Sequence, residues 1–259
     1  MDTMDLLSIG RTDGTVQNGV NDQMNDEDQR NDDIRADLQE YLLQHRDDLV
    51  THILEYNELM SRYQAAIREV TTKLEILQND FSMRYHRKTI ESIRSRVKKP
   101  ASIIQKMRRK GVEVSLVNIR ATLNDIAGIR VICPFLDDIY LVADALAQQD
   151  DITVVSTKDF IQSPKPNGYR SYHMLIDIPV FFADAKESLR VEVQLRTVAM
   201  DFWASLEHEI KYKKELPDSQ KVVEELRECA DVIAETDQRM LHIRNYIYQE
   251  PSEVRPVDL

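Results

Sequence analysis

Apolar residues recur at helical spacing between residue 34 and about residue 85, at Leu38, Tyr41, Leu42, Leu49, Ile53, Leu54, Tyr56, Leu59, Met60 and Tyr63, with no proline or glycine between them. The stretch reads as one long helix or a helical hairpin. Residues 1–33 are rich in Asp, Asn, Gln, Gly and Thr and nearly free of aromatic side chains. They bury too little surface to offset the entropy of ordering and are expected to form a disordered acidic leader. Past residue 85 the pattern changes. A helix is predicted over 100–110, and β-branched runs follow at 129–133, 152–156, 172–178 and 189–195, the first two separated by a helix around 138–148. Strands alternating with helices point to an α/β (α+β) fold, a mixed or mainly parallel sheet with helices packed on it. Residues 198–213 are helical by pattern, and 222–248 form a charged amphipathic helix with Leu226, Val232, Ile233, Met240, Ile243 and Ile247 as its stripe. Residues 251–259 are expected to fray. There is no internal repeat and no long linker, so one domain is expected over 34–250: N-terminal helices at 34–85, a core at 86–214 and a C-terminal helix at 215–250.

Composition narrows the function classes. The chain has 259 residues, 42% of them hydrophobic, enough to bury a real core. No apolar run approaches the ~18 residues of a membrane helix, and the N-terminus lacks a signal-peptide pattern, which points to the cytoplasm and away from a membrane. Cys133 and Cys229 are far apart and form no CxxC pair; both are expected to be buried small hydrophobes. A net charge of −11 argues against duplex DNA as a partner for the whole chain. Yet Arg94, Arg96, Lys98, Lys99, Lys106, Arg108, Arg109, Lys110 and Arg120 face a single acid, Glu113, within one short stretch. A local positive surface on an acidic protein suits a small polyanion. Beyond the leader the glycines are Gly111, Gly128 and Gly168, too scattered for a glycine-rich phosphate loop. Any nucleotide must be held by side chains.

Four segments carry candidate chemistry. In RVKKPASIIQKMRR, proline opens a helix that places Ser102, Lys106 and Arg109 on one face near a positive helix end, suited to a triphosphate; a solvated basic face is the alternative. In NDIAGIRVIC, Asp125 and Arg130 flank the entry to an apolar strand, where unpaired charge is costly; a structural Asp125–Arg130 pair is the alternative to a ligand site. In KDFIQSPKPNGYRSYH, prolines and a glycine shape a loop that displays Lys165, Tyr169 and Arg170 ahead of His173. Tyr169 either stacks on a base or caps the edge of the core. In VEVQLR, Glu192, Gln194 and Arg196 alternate onto one strand face, over a cleft or toward solvent.

Together, RVKKPASIIQKMRRKG, DIAGIRVICPF, NGYRSYHMLI, VEVQLRT and DFWASLEHEIKYK resemble the synthetase signature of the RelA/SpoT homologues, especially the small alarmone synthetases of the RelQ type. The resemblance implies a nucleotidyltransferase-like mixed sheet with long terminal helices, and Mg²⁺-dependent transfer of pyrophosphate from ATP to the 3′-hydroxyl of GDP or GTP. It places adenine between Arg96 and Arg130, the ATP phosphates on Lys98, Ser102, Lys106 and Arg109, and Mg²⁺ on Asp125 and Glu192, with Glu192 also near the acceptor hydroxyl. On the acceptor side it places Tyr169 against guanine, Lys165 and His173 toward the phosphates, Asp201 at the guanine edge, and Lys158 where other members carry Arg. Gln194 and His208 take supporting roles. It further implies synthesis without hydrolysis, a homotetramer, and (p)ppGpp or single-stranded RNA as effectors. A catalytically silent nucleotide sensor or RNA-binding module on the same fold, and a helical scaffold, are the competing classes.

Overall fold

The computed structural model of the chain describes residues 46–212 and 219–249. The acidic leader, residues 34–45 and the tail after residue 250 lie outside them. The chain divides into two compact units, residues 1–55 and 56–259. In the first, the described residues are helical. They begin α1, which runs from Arg46 to Tyr85 as one uninterrupted helix, so the hairpin alternative does not hold there.

In the second unit a five-stranded sheet has the order β1 (Ser92–Val97), β2 (Ala127–Cys133), β5 (Lys186–Thr197), β4 (Tyr172–Phe181), β3 (Thr153–Asp159). Only β2 and β5 run parallel; β1 with β2, β5 with β4 and β4 with β3 are antiparallel. The sheet is mixed, as expected, and is not mainly parallel. Six helices are described: α1, α2 (Pro100–Arg109), α3 (Leu116–Thr122), α4 (Leu136–Ala147), α5 (Val198–Tyr212) and α6 (Ser219–Gln249).

The period-two pleat divides the sheet into two unlike faces. Ile129, Val131, Met174, Ile176, Ile178, Leu189, Val191, Val193 and Leu195 point to one side and are buried with Leu59, Tyr63, Ile67, Val70 and Leu74 of α1 and Ile139, Val142 and Leu146 of α4. The α1 positions recur at three and four residues, the stripe a helix needs to cover a sheet. The opposite face carries mostly polar side chains, some in clefts and one, Arg196, buried.

Two elements escape the sequence pattern. Strand β1 pairs only with β2, so it needs one apolar flank, and its alternation of Ile93, Ser95 and Val97 with Arg94 and Arg96 is masked by the basic run. Helix α3 is seven residues long, too short for a periodic signal; Ser115 caps it by accepting from the Asn118 amide at 3.2 Å. Two expectations need correcting. Cys133 is buried, and burial pushes its thiol up, but Cys229 is exposed on α6. The inward stripe of α6 is Leu226, Ala230, Ile233, Asp237 and Leu241, whereas Val232, Met240, Ile243 and Ile247 are exposed. A buried carboxylate can occupy that stripe because Asp237 accepts a 2.6 Å bond from Thr197 Oγ1, a partner no pattern announces.

Ile176 is fully buried in β4. Ile176→Ala is expected to destabilise the chain by roughly 2–5 kcal/mol, read as a lower urea midpoint at unchanged m-value.

Candidate active site

Cross-strand register lines up the cleft. On the polar face, Arg94 pairs with Arg130, Arg130 with Gln194, Gln194 with His173 and His173 with Lys158, one row across all five strands. The neighbouring row runs Arg96, Gly128, Glu192, Leu175, Ser156. Residues opposite each other in such rows share a face and lie close enough to act together. Gly128 leaves the floor between Arg96 and Glu192 free of a side chain.

One half of the face is a cleft of about 150 Å³ walled by Arg94, Arg96, Asp125, Arg130, Glu192 and Gln194. Asp125 accepts from Lys98 Nζ at 2.9 Å and from Lys106 Nζ at 2.8 Å. The Asp125–Arg130 pair is therefore not formed; Arg130 turns instead to Asp201 at 3.2 Å. Burial pushes the Asp125 carboxyl up, but the hydrogen bonds and charges of the two lysines outweigh it and hold the group below its ordinary value. Asp201, in the first turn of α5, also meets Arg196 at 3.3 Å and Arg94 at 3.4 Å. Three guanidinium groups around one carboxylate leave an excess of positive charge. Desolvation, with repulsion from Arg196 and Arg96, outweighs the attraction of Asp201 and lowers the Arg130 pKa.

The other half is a cleft of about 200 Å³ lined by Ser156, Lys158, Phe160, Lys165, His173, Leu175 and Glu192. Its rim is the loop between β3 and β4. Asp159 caps the loop start by accepting from the Ile161 and Gln162 amides at 2.8 and 3.0 Å and from Tyr140 Oη at 3.0 Å. At the other end Gly168 takes φ +87°, where a Cβ would lie 2.6 Å from that of Ala230. Tyr169, like Leu226 and Ile233, packs against the buried cluster of Trp203, Ala204 and Ala230. Its hydroxyl accepts from Arg196 at 2.7 Å and lies 2.8 Å from His173 Nε2, and Lys165 Nζ sits 4.8 Å from the ring centre. Burial raises the Glu192 pKa, yet His173 and the Gln194 amide bring it net below the ordinary value, and the carboxylate stays ionised.

Residues 95–216 match the model of the region found in RelA / SpoT proteins. The chain is 40% identical to GTP pyrophosphokinase YwaC of Bacillus subtilis (strain 168) over 203 residues, 78% of this chain and 97% of the relative. The chain belongs to the RelA/SpoT family. Its fold is similar to the crystal structure of the Bacillus subtilis small alarmone synthetase 2, at 39% identity and a TM-score of 0.67 over 74% of this chain and 99% of that one. It is also similar to the Bacillus subtilis small alarmone synthetase 1 bound to its product pppGpp, at 34% identity and a TM-score of 0.68 over 75% and 99% of the two chains.

The residues singled out from the family signature converge. Arg96, Lys98, Lys106, Asp125, Arg130, Glu192 and Gln194 gather around the first cleft, and Lys158, Lys165, Tyr169 and His173 around the second. Ser102 and Arg109 are exposed on α2, on the same side as Lys106. His208 lies farther out, in a third cleft of about 400 Å³ that also touches Arg96, Arg130, Tyr169 and Arg196. Two cleft residues went unassigned from sequence. Arg94 was concealed in the basic run, and Arg196 was visible only as the third member of the alternating Glu192, Gln194, Arg196 face.

The donor set fits Mg²⁺. Asp125 Oδ1 is buried with no hydrogen-bond partner, and Glu192, on the wall of the same cleft, supplies a second carboxylate. Mg²⁺ takes one or two carboxylates and completes its shell with phosphate oxygens and water.

Folding lowers the Asp125 pKa beneath the unfolded 3.8, so its contribution to stability is present above that value and is lost as pH falls through the folded pKa. Asp125→Asn is expected to flatten the dependence of the urea midpoint on pH below about pH 5.

Proposed function

We propose that the chain is a pyrophosphokinase that moves the β,γ-pyrophosphoryl group of ATP to the 3′-hydroxyl of GDP or GTP and releases AMP, forming the (p)ppGpp of the bacterial stringent response. One observation carries the reading: Glu192 lines both clefts, the arginine-walled one and the lysine–histidine one, so a single ionised carboxylate stands where two nucleotides would meet. The relatives agree with it, one named a GTP pyrophosphokinase and one solved with pppGpp as its product.

On the donor side, the planar guanidinium groups of Arg96 and Arg130 stack on adenine, and Lys98, Ser102, Lys106 and Arg109 hold the phosphates. Asp125 and Glu192 hold Mg²⁺, which when bound supplies neutralisation of phosphate charge. On the acceptor side, Tyr169 stacks on guanine once Lys165 leaves its ring for the phosphates, where His173 and Lys158 join it. A carboxylate offers about four acceptor positions; Asp201 commits three to arginines and keeps one for the guanine edge. Gln194 and His208 steady the site. The 3′-oxygen attacks the β-phosphorus in line, the bond from that phosphorus to the bridging oxygen of AMP breaks, and Glu192 takes the hydroxyl proton. Positioning and charge neutralisation supply most of the rate.

The proposal includes a single synthetase domain over 34–250 acting in synthesis alone, in the cytoplasm; among the described residues no helix is long and apolar enough to cross a membrane. It also includes a homotetramer, for which exposed Val232, Met240, Ile243 and Ile247 offer apolar contact surface. Effector binding of (p)ppGpp or single-stranded RNA rests on the family resemblance alone.

Purified chain given Mg²⁺, radiolabelled ATP and GDP or GTP is expected to yield ppGpp or pppGpp together with AMP. Asp125→Asn and Glu192→Gln, each checked for folding by circular dichroism, are expected to lose at least ~100-fold in kcat. Full turnover in both variants would refute these roles. Guanine-nucleotide binding without product in the wild type would favour the sensor.

A further inference from the structure

Arg196 is nearly inaccessible, at 4% exposure, and no role for it follows from the nucleotide contacts assigned above. Its two terminal nitrogens are differently used. Nη1 is held by Asp201 at 3.3 Å, while Nη2 donates to Tyr169 Oη at 2.7 Å and to Gln194 Oε1 at 3.1 Å, one partner for each of its two hydrogens. From Gln194 the path continues through Nε2 to Glu192 Oε2 at 2.9 Å. From Tyr169 it continues to His173 Nε2 at 2.8 Å, and His173 Nδ1 lies 3.5 Å from Glu192 Oε1. The two paths leave one nitrogen and arrive at the two different oxygens of one carboxylate.

We propose that Arg196 is a positioning residue for Glu192, acting through Gln194 and through the Tyr169–His173 pair to set the orientation of every donor that meets the carboxylate. A guanidinium has donors and no acceptor, so it dictates polarity down both paths. The Gln194 amide must turn its oxygen to Arg196, which leaves its NH₂ for Glu192. The Tyr169 oxygen accepts from Arg196 and spends its own proton on His173 Nε2, which makes Nε2 the acceptor and leaves the ring proton on Nδ1, toward Glu192. The opposite tautomer would crowd two donors onto Tyr169 and aim the Nδ1 lone pair at a carboxylate. With both oxygens engaged, the Glu192 side chain loses the rotational freedom that would misplace it at the junction of the clefts.

The inference rests on the pyrophosphokinase reading for its kinetic consequence but not for its hydrogen bonds, so the test has two arms. In the first, ¹⁵N-histidine NMR of the full chain, with His173 assigned through His173→Gln, is expected to show the ring proton on Nδ1 with Nε2 as acceptor. Tyr169→Phe and Arg196→Met are expected to move that signal toward a tautomer mixture. An Nε2–H ring in the wild type, or a signal unmoved by both variants, overturns the proposal whether or not the chain makes product. In the second arm, Tyr169→Phe, which keeps the ring, and Gln194→Met each cut one path, and each is expected to lower kcat roughly three- to tenfold. The double variant is expected to lose more than the product of the two and to match Arg196→Met, with KM for ATP held within about twofold. A rise in KM for ATP at unchanged kcat in Arg196→Met would make Arg196 a direct substrate contact and overturn the assignment. Simple additivity in the double variant would do the same, and that comparison stands even if Arg196→Met fails to fold. A wild type without turnover would defeat the pyrophosphokinase reading and leave the first arm to decide.

Discussion

The pleat of β5 is the constraint on which the site depends. Leu189, Val191, Val193 and Leu195 face the core under α1 and α4, so Arg190, Glu192, Gln194 and Arg196 must face the other way. Pairing on both sides, parallel with β2 and antiparallel with β4, locks this arrangement, because a slip of one residue would exchange the faces and bury three charges while exposing four apolar side chains. Once β5 is placed, register alone delivers Arg130 and Arg94 on one flank of Gln194 and His173 and Lys158 on the other.

The cleft built on that face is electrostatically unfinished. Asp125 answers two lysines and Asp201 answers three arginines, so the carboxylates hold the cations in place without matching their charge. Partly buried charge of this kind is costly to a folded chain and is offset by the continuous apolar core on the opposite face. Phosphates would complete the balance. Phosphate binding through side chains would require such a preorganised cluster, because a glycine-poor segment lacks the backbone amides of a phosphate loop.

Placement of the loop between β3 and β4 depends on α6. Gly168 lies against Ala230, Arg170 Nη2 donates to Asp231 at 2.8 Å, and Trp203 Nε1 donates to the Leu226 carbonyl at 2.8 Å. Lys165 and Tyr169 thus take their positions from a helix distant in sequence, which ties the geometry of the second cleft to the docking of the C-terminal helix.

Much of this was legible in the residues themselves. Helical spacing along α1, β-branched runs in β2, β4 and β5, and proline at the head of α2 are local signals, and each element forms where its pattern lies. Many of the residues named from the family signature lie near one another in the fold, because motif order records which positions meet even when their contacts are unknown. Partnership was not legible. Arg130 pairs with Asp201 rather than with nearby Asp125, and Asp125 with Lys98 and Lys106, because the antiparallel β1–β2 pairing and the packing of α2 decide which charges approach. Arg196 shows the same limit: its place on the polar face follows from alternation along one strand. Its role as the common donor to Tyr169 and Gln194 exists only after β5 meets the loop ahead of β4, because the bond to Tyr169, 27 residues away in sequence, is decided by packing.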